Sequence, residues 1–228
     1  MDLSIFNENQ RAAVVAPHDF NEIQKILIIA GAGSGKTRVL THRIAYLIED
    51  CNVNPAQITA VTFSRKASKE MIERLSGLVG RRTVSLVNMG TFHGLSADIL
   101  RQFWRSQFII LDDYDQTKMC KDLMKENDAI SDIKIKDFKS WLGFQRSKCY
   151  DPLKERVTDS EQIEKYRMLT KLYFDRKAAL DNLDFDDLLE KTVSLLKTNE
   201  SARRRCQAQT RFLLVDEYQD TNNRQFEF

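Results

Sequence analysis

The segment from Lys25 to Leu40, KILIIAGAGSGKTRVL, decides how the rest of the chain is read. Its first six residues are a short apolar, β-branched run ending in glycines, the composition of a buried parallel strand. After it, Val39, Leu40, Ile44, Leu47 and Ile48 recur at helical spacing up to Asp50. Between strand and helix lie Ala30, Gly31, Ala32, Gly33, Ser34, Gly35, Lys36 and Thr37. Glycines at alternate positions let successive backbone N–H groups curl around phosphate oxygens with no Cβ in the way. The helix N-terminus adds its partial positive charge at the same point. In such a loop Lys36 reaches the β- and γ-phosphates of a nucleotide, and the Thr37 hydroxyl holds Mg2+. The octet departs from the G-x-x-x-x-G-K-[ST] pattern only in having Ala30 at its first position.

A phosphate loop needs a second source of carboxylates, for the metal and for the attacking water. Residues 211–216, RFLLVD, are another apolar run that stops at acids, followed by Glu217, Tyr218, Gln219 and Asp220. As the C-terminal end of a parallel strand, this is the edge where ligands gather in open α/β sheets. There Asp216 is expected to hold Mg2+ through water. Glu217 orients and deprotonates the attacking water, and Gln219 senses the γ-phosphate. An Asp-Glu pair behind four apolar residues is otherwise a solvated strand end. Beside the octet it reads as machinery for nucleoside triphosphate hydrolysis, with Lys36, Asp216, Glu217 and Gln219 in catalytic roles.

Further out, ITAVTF at 58–63 predicts a second strand, with a helix from about Lys66 to Leu75 ending near Gly77. Val84 to Met89 predicts a third strand, followed by a helix from about Gly94 to Trp104. This alternation argues for βαβ units and a parallel sheet flanked by helices. Between Asp112 and Leu180 the pattern changes to charged, helix-forming sequence with narrow apolar stripes such as Met168, Leu169, Leu172 and Tyr173. Because a strand follows it, residues 112–181 are expected to form an all-helical subdomain inserted into an α/β domain made of 1–111 and 182–228.

Composition sets outer limits. Of 228 residues, 42% are hydrophobic and 30% charged, which excludes a disordered tail and a membrane protein. No apolar run approaches the ~20 residues that a bilayer requires. The N-terminus lacks a basic segment leading into an apolar one, so no secretory signal is visible. The four cysteines and three histidines have no zinc-site spacing. A reduced, cytoplasmic protein without membrane partners is expected. The net charge of +2 hides an uneven distribution, with 13 basic against 9 acidic side chains over 1–111 and 7 against 10 over 181–228.

Five motifs in this order resemble the UvrD/Rep/PcrA-like DNA helicases of superfamily 1. Phe6-Asn7-Glu8-Asn9-Gln10 resembles the family's N-terminal glutamine motif, with Phe6 where Leu is usual. The octet continued by Arg38-Val39-Leu40 is similar to the family's phosphate loop. Ala60 to Ala67 and Gly90-Thr91-Phe92-His93-Gly94 resemble its DNA-contact motifs. Leu213 to Asn222 is a near-complete match to its Walker B segment, and Asp184 to Leu189 is similar to a segment that re-enters the core domain.

The resemblance implies a P-loop, RecA-like fold using ATP and Mg2+. It implies that Gln10 hydrogen-bonds adenine and that Arg38 helps bind the nucleotide; a helix-surface glutamine and a solvated cation are the plainer alternatives. Phe63 would offer a face on which a base stacks, or else be a core aromatic at a strand end. Thr91, Phe92 and His93 would contact DNA, although a lone His is otherwise structural. Arg65 stands where the family has Asn, and a cation there can meet phosphate. The implied activity is ATP-driven 3′→5′ translocation on single-stranded DNA, acting at single/double-strand junctions in the cytoplasm and associated with the nucleoid. Such motors need a second RecA-like domain, so a C-terminal partner domain of the same parent chain is expected, and this portion alone should not unwind DNA. A self-standing ATP-binding module and the motor part of a helicase–nuclease are the alternatives.

Overall fold

A parallel sheet is built from strands distant in sequence, so its existence depends on pairing that no local run specifies. The computed structural model describes residues 2–17, 24–31, 33–155 and 160–228. In chain order it holds α1 (Glu8–Val14), α2 (Lys36–Glu49), β1 (Ile58–Thr62), α3 (Arg65–Val79), α4 (Arg81–Val84), β2 (Asn88–Thr91) and α5 (Phe92–Phe103). Then come β3 (Ile109–Ile110), α6 (Asp113–Lys125), α7 (Ile135–Ser147), α8 (Glu161–Ala179), β4 (Asn182–Leu183) and α9 (Phe185–Thr198). The chain closes with α10 (Glu200–Gln209), β5 (Phe212–Val215) and α11 (Asn223–Glu227). Two compact units result, Met1–Leu95 with Glu200–Asp220, and Ser96–Asn199 with Thr221–Phe228. The sequence reading put its boundaries at 111/112 and 181/182 instead.

In the first unit β1 lies between β2 and β5, all parallel, with Ala60 opposite both Met89 and Leu214. All five residues of β1 are buried, as a central strand covered on both faces requires. Ile44 and Leu47 of α2, Met71 and Leu75 of α3, and Ile58 and Ala60 of β1 share one apolar core. Burying each such side chain contributes roughly 1.5–3 kcal/mol. Ser64 caps α3 by accepting the Ala67 N–H at 3.1 Å, and Gly80 ends it at φ 83°, a backbone state open to glycine.

Two expectations are corrected here. Residues 25–30 carry no strand, and Ile26, Leu27, Ile28 and Ile29 are exposed, Ile29 to 88%. Apolar β-branched composition favours a strand, but a strand needs a ladder partner, and among the described residues none lies beside this run. The third strand runs over 88–91 rather than 84–89, because Arg81 to Val84 form a short helix after Gly80.

In the second unit α6, α7 and α8 enclose Cys120, Leu123, Ile130, Phe138, Leu142, Leu169 and Tyr173. Between Asp113 and Ala179 the described regular elements are helical only. β3 and β4 form a two-residue parallel pair beside a smaller core of Ala97, Leu100, Leu183 and Leu188. Among the described residues no helix is long and apolar enough to cross a membrane.

Candidate phosphate-loop site

Gly33 and Gly35 have φ values of 74° and 87°, the left-handed region where a Cβ is strained. They turn the loop into the first residue of α2, with Gly35 at the N-cap and no side chain capping it. The helix therefore begins with unclaimed N–H groups facing the loop, the arrangement that binds anions. Lys36 Nζ folds back to donate to the carbonyls of Ala30 at 3.3 Å and Gly31 at 3.2 Å. Ala32 lies outside the described residues.

The acidic strand end meets this loop. The Thr37 hydroxyl donates to Asp216 Oδ2 at 3.2 Å, joining residues 179 apart in sequence. Asp216 is 8% exposed, and its N–H extends the ladder to the Val61 carbonyl at 2.9 Å. Glu217 follows at φ 50°, a left-handed conformation that costs a non-glycine residue of order 1–3 kcal/mol and clusters at functional sites. Its N–H donates to Asp216 Oδ1 at 3.1 Å, and Gln219 Nε2 donates to Glu217 Oε2. Of the four residues expected in catalytic roles, Asp216, Glu217 and Gln219 fall with Thr37 into one continuous chain of contacts, while Lys36 rests on its own loop.

A hard cation fits this donor set. Octahedral Mg2+ takes oxygens at 2.0–2.1 Å, so adjacent ligands lie about 3 Å apart. The 3.2 Å between Thr37 Oγ1 and Asp216 Oδ2 is close to that spacing. Among the described residues there is no cluster of three His, Cys, Asp or Glu able to hold a metal.

Gln10 reaches the loop from the other side. Its Nε2 donates to the Ser34 carbonyl at 2.9 Å, while its Oε1 accepts the Asn7 N–H at 3.1 Å. Asn7 Oδ1 in turn accepts the Gln10 N–H, so a capping box fixes the start of α1. Arg38 lies over the ring of Phe6 at 5.2 Å. Sequence reasoning noted Phe6 only as an unusual residue; its 4% exposure and its place beneath Arg38 emerge only in three dimensions.

The other expected contacts sit at neighbouring strand ends. Thr62 is in register with Thr91, so Phe63, Ser64 and Arg65 leave β1 beside the point where Thr91, Phe92 and His93 leave β2. Phe63 is 56% exposed, its ring open to a ligand rather than in the core. Arg65 is exposed at the start of α3, whose first turn holds no acid. Thr91 Oγ1 accepts the Gly94 N–H at 3.2 Å. Phe92 is buried at the start of α5, with 7% exposure against 56% for Phe63. His93 is half-buried, and burial pushes its imidazole below the usual range, so it is neutral near pH 7.

Residues 6–228 match the family model described as the UvrD/REP helicase N-terminal domain. The chain is 36% identical over 207 residues to an ATP-dependent DNA helicase Rep of Escherichia coli, covering 88% of this chain and 31% of the relative. It is 37% identical to an ATP-dependent DNA helicase PcrA of Leuconostoc citreum, covering 88% and 28% respectively. A probable DNA helicase II homolog of Mycoplasma capricolum is 35% identical, covering 98% and 32%. The chain thus spans about a third of the length of the curated relatives it matches.

Proposed function

This chain belongs to the UvrD/REP helicase N-terminal domain family, and from that premise we propose that it is the ATP-binding, single-strand-contacting front portion of an ATP-dependent 3′→5′ DNA helicase. The observation that carries the reading is the 3.2 Å contact between Thr37 and Asp216, which joins the phosphate loop to the acidic strand end. In this reading residues 30–37 cradle the phosphates. Lys36 leaves the Ala30 and Gly31 carbonyls to meet the β- and γ-phosphates, and Gln10 and Arg38 face the rest of ATP. Thr37 and Asp216 hold Mg2+, which supplies charge neutralisation for the phosphate oxygens. Glu217 orients the attacking water and takes its proton, and Gln219, bonded to Glu217, relays the presence of the γ-phosphate.

Phe63, Arg65, Thr91 and His93 form the single-strand contact, one aromatic face beside one cation and two neutral hydrogen-bonding groups. Residues 1–111 and 182–228 are the RecA-like domain in this reading, and 112–181 its insertion. Junction DNA and a second RecA-like domain of the parent chain are its partners.

The test is ATP hydrolysis by the full-length parent with and without single-stranded DNA. Hydrolysis should rise with DNA and fall by at least a hundredfold in Lys36→Ala. Hydrolysis that ignores both DNA and the lysine overturns the reading.

A further inference from the structure

Phe6 lies where two parts of the nucleotide site touch, and its neighbours say what it does there. Its ring is buried with Val14 of α1 and Val39 of α2. The Arg38 guanidinium sits over one face at 5.2 Å. His42, one turn further along α2, meets the ring edge-on, with centroids 4.8 Å apart and planes at 86°. The same His42 has Nδ1 2.8 Å from the Arg38 carbonyl. Phe6 therefore grips α2 at two positions on one face.

Arg38 is exposed, and among the described residues its guanidinium makes no ion pair and no hydrogen bond. All five N–H donors are open to a ligand while the ring fixes where they sit. Phe6 also directly precedes Asn7, the N-cap of α1, whose capping box holds Gln10. Both ends of the Gln10 amide are occupied by the protein itself, through Asn7 and Ser34. For Gln10 to bond a base, Nε2 must leave the Ser34 carbonyl while the N-cap stays in place as the pivot. Val14 packing on Val39 and the Arg43 bond to the Val14 carbonyl tie the far end of α1 to α2, and Phe6 packs in the same cluster directly beside the N-cap.

We propose that Phe6 is a positioning residue for nucleoside recognition, seating Arg38 on its ring and anchoring the Gln10 turn beside the phosphate loop. The inference rests on the ATP reading above and deepens it. A leucine fills a similar volume but has no quadrupole to seat a guanidinium. The effect should therefore fall on the nucleoside end of the ligand and spare the phosphate end, which residues 30–37 hold without Phe6.

The experiment is calorimetric titration of the chain with ADP and with inorganic tripolyphosphate, both with Mg2+, for wild type, Phe6→Leu, Arg38→Ala and the double variant. Thermal melting is followed in parallel. Phe6→Leu should weaken ADP about three- to tenfold, the range of one lost cation–π or hydrogen-bond contact, and leave tripolyphosphate within about twofold. On the Arg38→Ala background the same change should cost ADP clearly less, because the two act as a unit. Equal losses for both ligands, no loss for either, or strictly additive losses in the double variant overturn the inference, since a purely packing role predicts them. If wild type binds neither ligand, the ATP reading fails and takes this inference with it. If wild type binds both and Lys36→Ala neither, the ATP reading stands whatever Phe6 does.

Discussion

Phe63 and Arg65 are two residues apart, and as proposed contacts to single-stranded DNA they would act by different physics. Phe63 is exposed at the end of β1, and an aromatic that stacks on a base contributes roughly 1–3 kcal/mol per base, nearly blind to salt. A cation at the start of α3 acts by displacing counterions from phosphate, so its contribution fades as salt rises. Arg65 is also placed against its own helix: a positive charge beside the N-terminal end of the macrodipole is unfavourable, and no acid in the first turn offsets it. A phosphate would relieve that conflict. Titration of labelled single-stranded DNA over several salt concentrations should separate the two. Arg65→Ala should reduce the slope of log affinity against log salt by about 0.7, and Phe63→Ala should lower affinity at every salt with the slope unchanged. Two variants with the same slope as wild type would remove Arg65 from the contact.

At the scale of elements, a buried ionic cluster holds α7, α8 and the start of α9 together. Arg146 of α7 is 2% exposed and bonds both Asp184 carboxylate oxygens at 2.9 and 3.0 Å, Asp187 at 2.8 Å and Glu190 at 3.0 Å. Lys177 and the Tyr173 hydroxyl of α8 also donate to Asp184. Burial by itself would push the Asp184 carboxyl up. The Arg146 and Lys177 charges and the Lys177 and Asp187 N–H bonds outweigh it and hold the group at about 2. The same carboxylates outweigh the burial of Arg146 and raise its pKa. Because Asp184 is depressed in the folded chain, its contribution is complete above the unfolded value of 3.8 and disappears as pH falls toward about 2. Urea unfolding should therefore show stability dropping across that window. Arg146→Ala should cost about 3–5 kcal/mol at neutral pH, because three carboxylates lose their buried partner. In that variant the acid-dependent drop should shrink. A loss below 1 kcal/mol would show that water reaches the cluster and screens it.

For the whole molecule, the phosphate loop, Asp216 and the ends of β1 and β2 all belong to the unit Met1–Leu95 with Glu200–Asp220. With relatives about three times as long, the motor cycle is proposed for the parent chain, not for these residues alone. A strand-displacement assay on a junction substrate should give no unwinding by this chain at any ATP concentration, whereas the parent unwinds. Unwinding by the chain itself would show that a second RecA-like domain is unnecessary.

Much of the site was legible in the residue order because its chemistry is contiguous. Gly31 to Thr37 carry the spacing expected of an anion-binding loop ahead of a helix, and Asp216 to Gln219 follow their own apolar run. The parallel order β2-β1-β5 follows the expected alternation of strands and helices. What the run from Ile26 to Ile29 does was not legible, since burial and pairing depend on partners elsewhere in the chain. Nor were the 3.2 Å between Thr37 and Asp216, the seat of Arg38 on Phe6, or the burial of Arg146 beside Asp184, 38 residues away. Local patterns marked which residues are candidates to meet phosphate and which acids are candidate metal ligands. Only tertiary packing decided which of them meet, because those contacts form across loops whose closure is set by the core and not by neighbours in sequence.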